Sequence, residues 1–242
     1  YYFNVTGEPQ KKKIIALDRA YHGVTLAASA LTGLEVNHKH FSLPLDALGI
    51  LRTDSPSYYH GCKNNESEHE FVSRLINNLE ELILSEGPET IAAYIAEPVG
   101  GASGVVVAPD SYFPEVQTLL TKYDIMMWSD EVICGFGRTG NNFGCETMGF
   151  RPQLISLAKQ LSSAYLPISA SVIPDYMYEA MVEPSADVGV FGHGYTYTGH
   201  PAACAAALKT LQIYQRDNLF DQARQRGSYM QKRLTEFKDH PL

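Results

Sequence analysis

Apolar runs that each stop at an ionisable residue limit the folds open to this chain more than any other feature. Residues 90–96 are followed by Glu97, residues 125–129 by Asp130, and residues 154–158 by Lys159. A continuous apolar run of this length is the mark of a strand covered on both faces, as in a parallel sheet between helices. Helical patterns separate the runs. Residues 67–85 place Phe71, Leu75, Leu79, Leu82 and Ile83 on one helical face. Ser67 and Glu70 form a capping-box pattern at the start, and Gly87-Pro88 ends the segment. Residues 13–17 and 170–173 predict two further strands, and residues 112–123, 175–181, 201–215 and 219–237 predict helices. Strands alternating with helices predict an α/β fold with a mostly parallel sheet flanked by helices. In such sheets ligands bind in the crevice beyond the carboxyl ends of the strands. Glu97, Asp130 and Lys159 are therefore expected along one edge.

Composition agrees with one large domain. The 242 residues are 45% hydrophobic and 19% charged, enough apolar content for a sizeable core and too little charge for a disordered chain. A formal net charge of −8 argues against nucleic acid as a partner, without excluding a small anion at a locally positive site. Cys62, Cys134, Cys145 and Cys204 form no CxxC pair, which favours a reducing, intracellular setting. No run is long and apolar enough to span a bilayer. No leader is visible, but the first residue is Tyr1 rather than Met, so a targeting segment is not excluded. Asn4-Val5-Thr6 and Asn65-Glu66-Ser67 match the glycosylation pattern, which carries little weight without a secretion signal.

Each candidate residue has an ordinary reading when taken alone. Lys159, between an apolar strand and the small polar turn Gln160-Leu161-Ser162-Ser163, is expected to be only partly solvated, a setting that favours the neutral, nucleophilic amine. By itself it also reads as a surface lysine. Asp130 at a buried strand end needs a partner: a turn amide, a helix N-terminus or a cationic ligand. Glu131 falls on the opposite face if the strand continues. Tyr21-His22-Gly23 offers an aromatic ring to a flat ligand, or a packed tyrosine beside a turn glycine. Residues 192–201, Gly-His-Gly-Tyr-Thr-Tyr-Thr-Gly-His-Pro, precede a helix and suit either a phosphate or an ordinary N-cap. Gly135-Phe136-Gly137-Arg138-Thr139-Gly140 fits GxGxxG, but Asn141-Asn142-Phe143-Gly144 is a poor helix start and the dinucleotide reading is rejected. His38 and His40 lack a third ligand at suitable spacing, and no HExxH or Cys/His cluster is present, so no metal site is expected.

In their order along nearly the whole chain, these segments resemble the class III aminotransferases, which are fold-type I enzymes dependent on pyridoxal 5′-phosphate (PLP). The residues carrying the resemblance are Tyr21-His22-Gly23, Ala96-Glu97-Pro98-Val99, the stretch from Ser129-Asp130-Glu131-Val132 through Gly140, Leu157-Ala158-Lys159, and Gly194-Tyr195-Thr196-Tyr197-Thr198-Gly199-His200-Pro201. The resemblance implies that Lys159 forms the Schiff base and transfers protons. It implies that Asp130 pairs with the pyridine nitrogen, with Val132 on one ring face and Tyr21 on the other. His22 and Glu97 would belong to the same cofactor site, Glu97 near Asp130. Thr196 would reach the cofactor phosphate of a neighbouring subunit in a homodimer with shared active sites.

The detail is most similar to the omega-amino acid branch, through Leu161-Ser162-Ser163-Ala164-Tyr165-Leu166-Pro167 and Phe191-Gly192-His193-Gly194-Tyr195-Thr196-Tyr197. That branch implies ping-pong transfer of an amino group from 4-aminobutyrate, β-alanine or a similar amine to a keto acid such as pyruvate. An aminomutase or a decarboxylase of the same class would use the same lysine and aspartate. The resemblance further implies residues 1–216 as a PLP-binding large domain and 217–242 as the start of a small C-terminal domain. A glycine–serine phosphate cup is expected before Tyr1, and a substrate-carboxylate arginine beyond Leu242. The chain thus reads as a central fragment, expected to be inactive alone, of a cytoplasmic or mitochondrial enzyme.

Overall fold

The apolar runs pair side by side. In a computed structural model, described over residues 1–238, the strands are β1 (Lys13–Leu17), β2 (Ile50–Thr53), β3 (Ile91–Ala96), β4 (Val99–Gly100), β5 (Val106–Val107), β6 (Met126–Asp130), β7 (Leu154–Leu157) and β8 (Ala170–Val172). β4 and β5 form a small antiparallel hairpin. The rest build one six-stranded sheet in the order β2-β1-β3-β6-β7-β8, parallel from β2 to β7, with β8 antiparallel at the edge. The register sets Ile15 beside Leu51 and Tyr94, Tyr94 beside Met127, and Asp130 beside Ser156.

Alternation along the strands divides the core between two faces. Ile15, Tyr94 and Met127 face the helices Glu68–Glu86 and Tyr112–Lys122, whose Phe71, Leu75, Leu79, Ile83, Phe113, Val116 and Leu120 complete the main core. Ala16 and Ile95 face the other way and meet Leu31 of the helix Leu26–Leu31, with Ile14, Ile50 and Trp128 packed around them. The capping box expected at Ser67 is present: Ser67 Oγ accepts from Glu70 N, and Glu70 accepts from Ser67 N at 2.9 Å. No helix of the described residues is long and apolar enough to cross a membrane.

Several elements depart from the sequence reading. β2 and the helix Leu26–Leu31 are short, and neither has a strong periodic signal. Arg52 interrupts the apolar run of β2 because its guanidinium caps that helix, donating to Ala30 O, to Leu31 O at 2.6 Å and to Thr32 O at 2.7 Å. The helix expected over 175–181 continues to Asp187, past Pro184. Proline removes an N–H late in this helix, and Ser185 Oγ donates to Met181 O at 2.6 Å in the same turn.

Neighbouring connections diverge between β1 and β3, since β2 lies outward of β1 while the chain returns to β3 on the inner side. A doubly wound sheet opens its ligand crevice at such a switch, beyond the carboxyl ends of the strands.

Candidate active site

The carboxyl edge collects the expected residues. β1 runs into Tyr21 and His22, β3 into Glu97, β6 ends on Asp130, and β7 runs into Lys159. Asp130 is 5% exposed. Its Oδ2 lies 2.8 Å from His22 Nδ1, and its Oδ1 accepts from Val132 N at 3.1 Å. An ionised carboxylate only accepts, so His22 donates through Nδ1. His22 Nε2 is buried with no hydrogen-bond partner. The His22 side chain, 2% exposed, is thus spent on Asp130 and on packing.

His22 is placed from behind. Its backbone N–H donates to Thr32 Oγ1 at 2.9 Å, and the fully buried Thr32 hydroxyl has Gly23 O and Ala28 O within reach as acceptors, at 3.1 and 3.0 Å. Arg52 grips the carbonyl of the same Thr32. A line of polar contacts therefore runs from β2 through Thr32 and His22 to Asp130. Sequence reasoning missed Thr32 and Arg52, because nothing local marks a threonine ten residues after His22 as its partner.

Glu97 performs a backbone task. Oε2 accepts from Tyr21 N at 3.0 Å and Oε1 from Gly101 N at 3.1 Å, so one carboxylate joins the end of β1 to the turn after β4. Burial pushes the Glu97 carboxyl up, the charge of Asp130 adds to the rise, and the two amide bonds and the charge of His22 oppose it. Tyr21 and Val132 are both half-buried.

Lys159 departs from the sequence reading. It is exposed rather than partly desolvated. The chain leaves β7 at Ala158 and turns at once into the 3-10 segment Lys159–Leu161, with Lys159 in a left-handed conformation at φ 40°. That turn carries the residue off the apolar strand, so the strand does not shield its amine. Thr196 is exposed within a loop whose neighbour Thr198 accepts from Tyr195 N at 3.0 Å. The following helix, Pro201–Arg216, has no side-chain cap at His200.

Glu131 turns away from Asp130, as alternation requires, but it is 1% exposed and engaged. Its carboxylate accepts from Gly144 N and Cys145 N, both at 2.8 Å, and from Ser129 Oγ at 3.0 Å. Contrary to the sequence reading, a helical turn does open after the glycine-rich stretch, at Gly144–Thr147. It is a single turn, and Glu131 already occupies its first two amides, Gly144 N and Cys145 N, so they are not open to a dinucleotide phosphate. Gly137 and Gly140 of the stretch instead let the helix Leu219–Thr235 approach. A Cβ on Gly137 would lie 2.2 Å from Phe220 Cδ1, and one on Gly140 would lie 2.9 Å from Arg224 Cβ.

A carboxylate fixed at one strand end, a lysine just past the end of the next strand and two half-buried side chains thus share one edge of the sheet. The family model for class III aminotransferases matches residues 1–241. Gamma aminobutyrate transaminase 3, chloroplastic, from Solanum lycopersicum is 49% identical over all of this chain and 46% of its own length. Diaminobutyrate–2-oxoglutarate transaminase from Halomonas elongata is 46% identical over all of this chain and 52% of its own. The solved omega transaminase from Pseudomonas jessenii in complex with PMP superposes with a TM-score of 0.96 at 46% identity, covering all of this chain and 53% of that one. The chain spans about half the length of the curated relatives it matches. It belongs to the class III aminotransferase family.

Proposed function

We propose that the protein carrying this chain is a PLP-dependent transaminase that moves an amino group from an omega-amino acid or simple amine to a keto acid. 4-Aminobutyrate or β-alanine as donor and pyruvate as acceptor fit the reading, and the course is ping-pong. The observation that carries it is the Asp130 carboxylate, held by His22 Nδ1 and Val132 N on the sheet edge that also receives Lys159. The family fold and relatives named as transaminases support the same reading.

The residues present suit PLP. Asp130 keeps lone pairs free beyond its two bonds and can accept from a protonated ring nitrogen. The exposed Lys159 Nζ is open to an aldehyde. PLP supplies an electron sink when bound. Lys159 Nζ would hold the cofactor and would move a proton from and back to the donor carbon. Asp130 would keep the ring nitrogen protonated, and His22 holds Asp130 in place for it. Tyr21 and Val132 would hold the cofactor ring between them, and Glu97 fixes the backbone of Tyr21. Thr196, in its exposed loop, serves the phosphate site of a neighbouring subunit in a homodimer.

We assign residues 1–216 to the large domain and 217–242 to the start of the small one, divided at Asp217 and the left-handed Asn218. Residues 239–242 of the second unit lie outside the described residues. All four cysteines are free, which supports a reducing compartment. The cytoplasm is our assignment, with the mitochondrion as alternative; two relatives carry mitochondrial in their names and another chloroplastic.

Asp130→Asn in the full-length protein tests the reading. Turnover should fall by orders of magnitude while the lysine-bound cofactor still absorbs, because the charge facing the ring nitrogen is lost and Lys159 is untouched. Near-normal turnover would contradict it.

A further inference from the structure

We propose that Glu131 is a positioning residue that sets the place of Asp130 and Val132 by tying together the two ends of the loop 132–143. The inference rests on the PLP reading of Asp130 and adds to it a residue that touches neither cofactor nor substrate.

Among the described residues, Glu131 is the one acidic residue in the set of largest fully buried side chains, at 1% exposure. A buried carboxylate is costly unless its oxygens are satisfied. Here both oxygens accept backbone amides from the far end of the loop, Gly144 N to Oε2 and Cys145 N to Oε1, and Ser129 Oγ adds a third bond. The backbone of Glu131 is fixed as well. Its N–H donates to Ser156 O of β7 at 3.0 Å, one rung past Asp130, and its carbonyl accepts from Gly135 N at 2.8 Å. Glu131 is thus bonded to β7 on one side and to the return of the loop on the other.

Its two chain neighbours are the residues that matter for a bound ring. Asp130 accepts from Val132 N at 3.1 Å, so the aim of the Asp130 carboxylate depends on where the Val132 amide sits. Val132 begins the loop that Glu131 closes. The closure needs a glycine at position 144, since a Cβ there would lie 2.6 Å from Cys134 Cβ and 2.8 Å from Pro98 Cβ. Phe136 N–H donates to Asn142 O at 2.7 Å within the loop, so the segment is shaped inside and anchored at both ends. Loss of the carboxylate anchor frees the Gly144–Cys145 end and, through the loop, the Val132 amide on which Asp130 rests.

The test uses full-length holoprotein with PLP labelled with nitrogen-15 in its ring. Wild type should show a protonated ring nitrogen. Glu131→Gln keeps the size of the side chain but turns an NH2 toward a backbone N–H. It should lower kcat roughly tenfold to a hundredfold, leave the donor KM nearly unchanged, and move the ring-nitrogen resonance toward the unprotonated position. Glu131→Asp keeps the charge, retracts it by one methylene and should move the same readouts the same way. It also serves as the measured variant if Glu131→Gln does not fold. A lower melting temperature in both variants with wild-type kcat and resonance would make Glu131 merely structural and overturn the inference. So would a Glu131→Asp protein that behaves as wild type, because the charge rather than the tie would then be what counts. A wild-type protein without bound PLP, or with an unprotonated ring nitrogen, would instead overturn the reading on which the inference rests.

Discussion

Asp130 and Glu131 are adjacent carboxylates with opposite tasks, and the difference comes from what each side of the strand end offers. Asp130 meets one imidazole and one amide and keeps acceptor capacity in reserve. Glu131 meets three donors and has both oxygens engaged. A third acid, Glu66, illustrates a pairing away from the site. Arg74 grips it with Nε and Nη2 at 2.7 and 2.8 Å, and Lys63 N adds a bond at 2.8 Å. These bonds, with Arg74 first, hold the Glu66 carboxyl at about 2 rather than the ordinary 4.5. The folded value is depressed, so the contribution of this contact is fully present above pH 4.5 and is lost as the pH falls toward about 2. Carboxyl NMR titration should place Glu66 near the lower value, and Arg74→Gln should return it toward the upper one. A Glu66 value that ignores the substitution would remove Arg74 as the cause.

Elements meet through glycines as much as through apolar faces. Gly137 and Gly189 share φ 89°, yet a Cβ on Gly137 would strike Phe220 while one on Gly189 would meet nothing within 4 Å. Alanine at either position carries the left-handed penalty, but only Gly137→Ala should also unseat the helix Leu219–Thr235. Gly137→Ala should therefore cost about 1–3 kcal/mol more than Gly189→Ala in denaturant unfolding. Phe220→Ala in the same chain should recover much of the difference. Equal losses from the two alanines would show that the approach of Phe220 is not what demands Gly137. That the glycine-rich stretch is no dinucleotide site was legible, but its use as a helix seat was not, because Phe220 lies far away in sequence. The long periodic elements were legible for the opposite reason: the helix Glu68–Glu86 carries its cap and its apolar face locally. β2 was not legible, since the role of Arg52 depends on the carbonyls of a helix that precedes it.

At the scale of the molecule, sheet topology converts positions remote in sequence into one edge. The apolar runs ending at Glu97, Asp130 and Lys159 were enough to foresee that edge, because parallel strands all present their carboxyl ends to the same side. Contacts across the edge were beyond sequence reasoning. The His22 to Asp130 bond spans 108 positions, and no periodicity encodes a partner at that distance. The exposure of Lys159 was also missed, because the sharp turn after Ala158 is a backbone event with no apolar pattern to announce it. Every role proposed for this edge depends on Lys159 being the cofactor's lysine. The most direct measurement is borohydride reduction of the full-length holoprotein, followed by digestion and mass mapping of the pyridoxyl-labelled peptide. The label should fall on Lys159, in the peptide containing Leu157-Ala158-Lys159; a label on any other lysine, with Lys159 unmodified, would contradict the account.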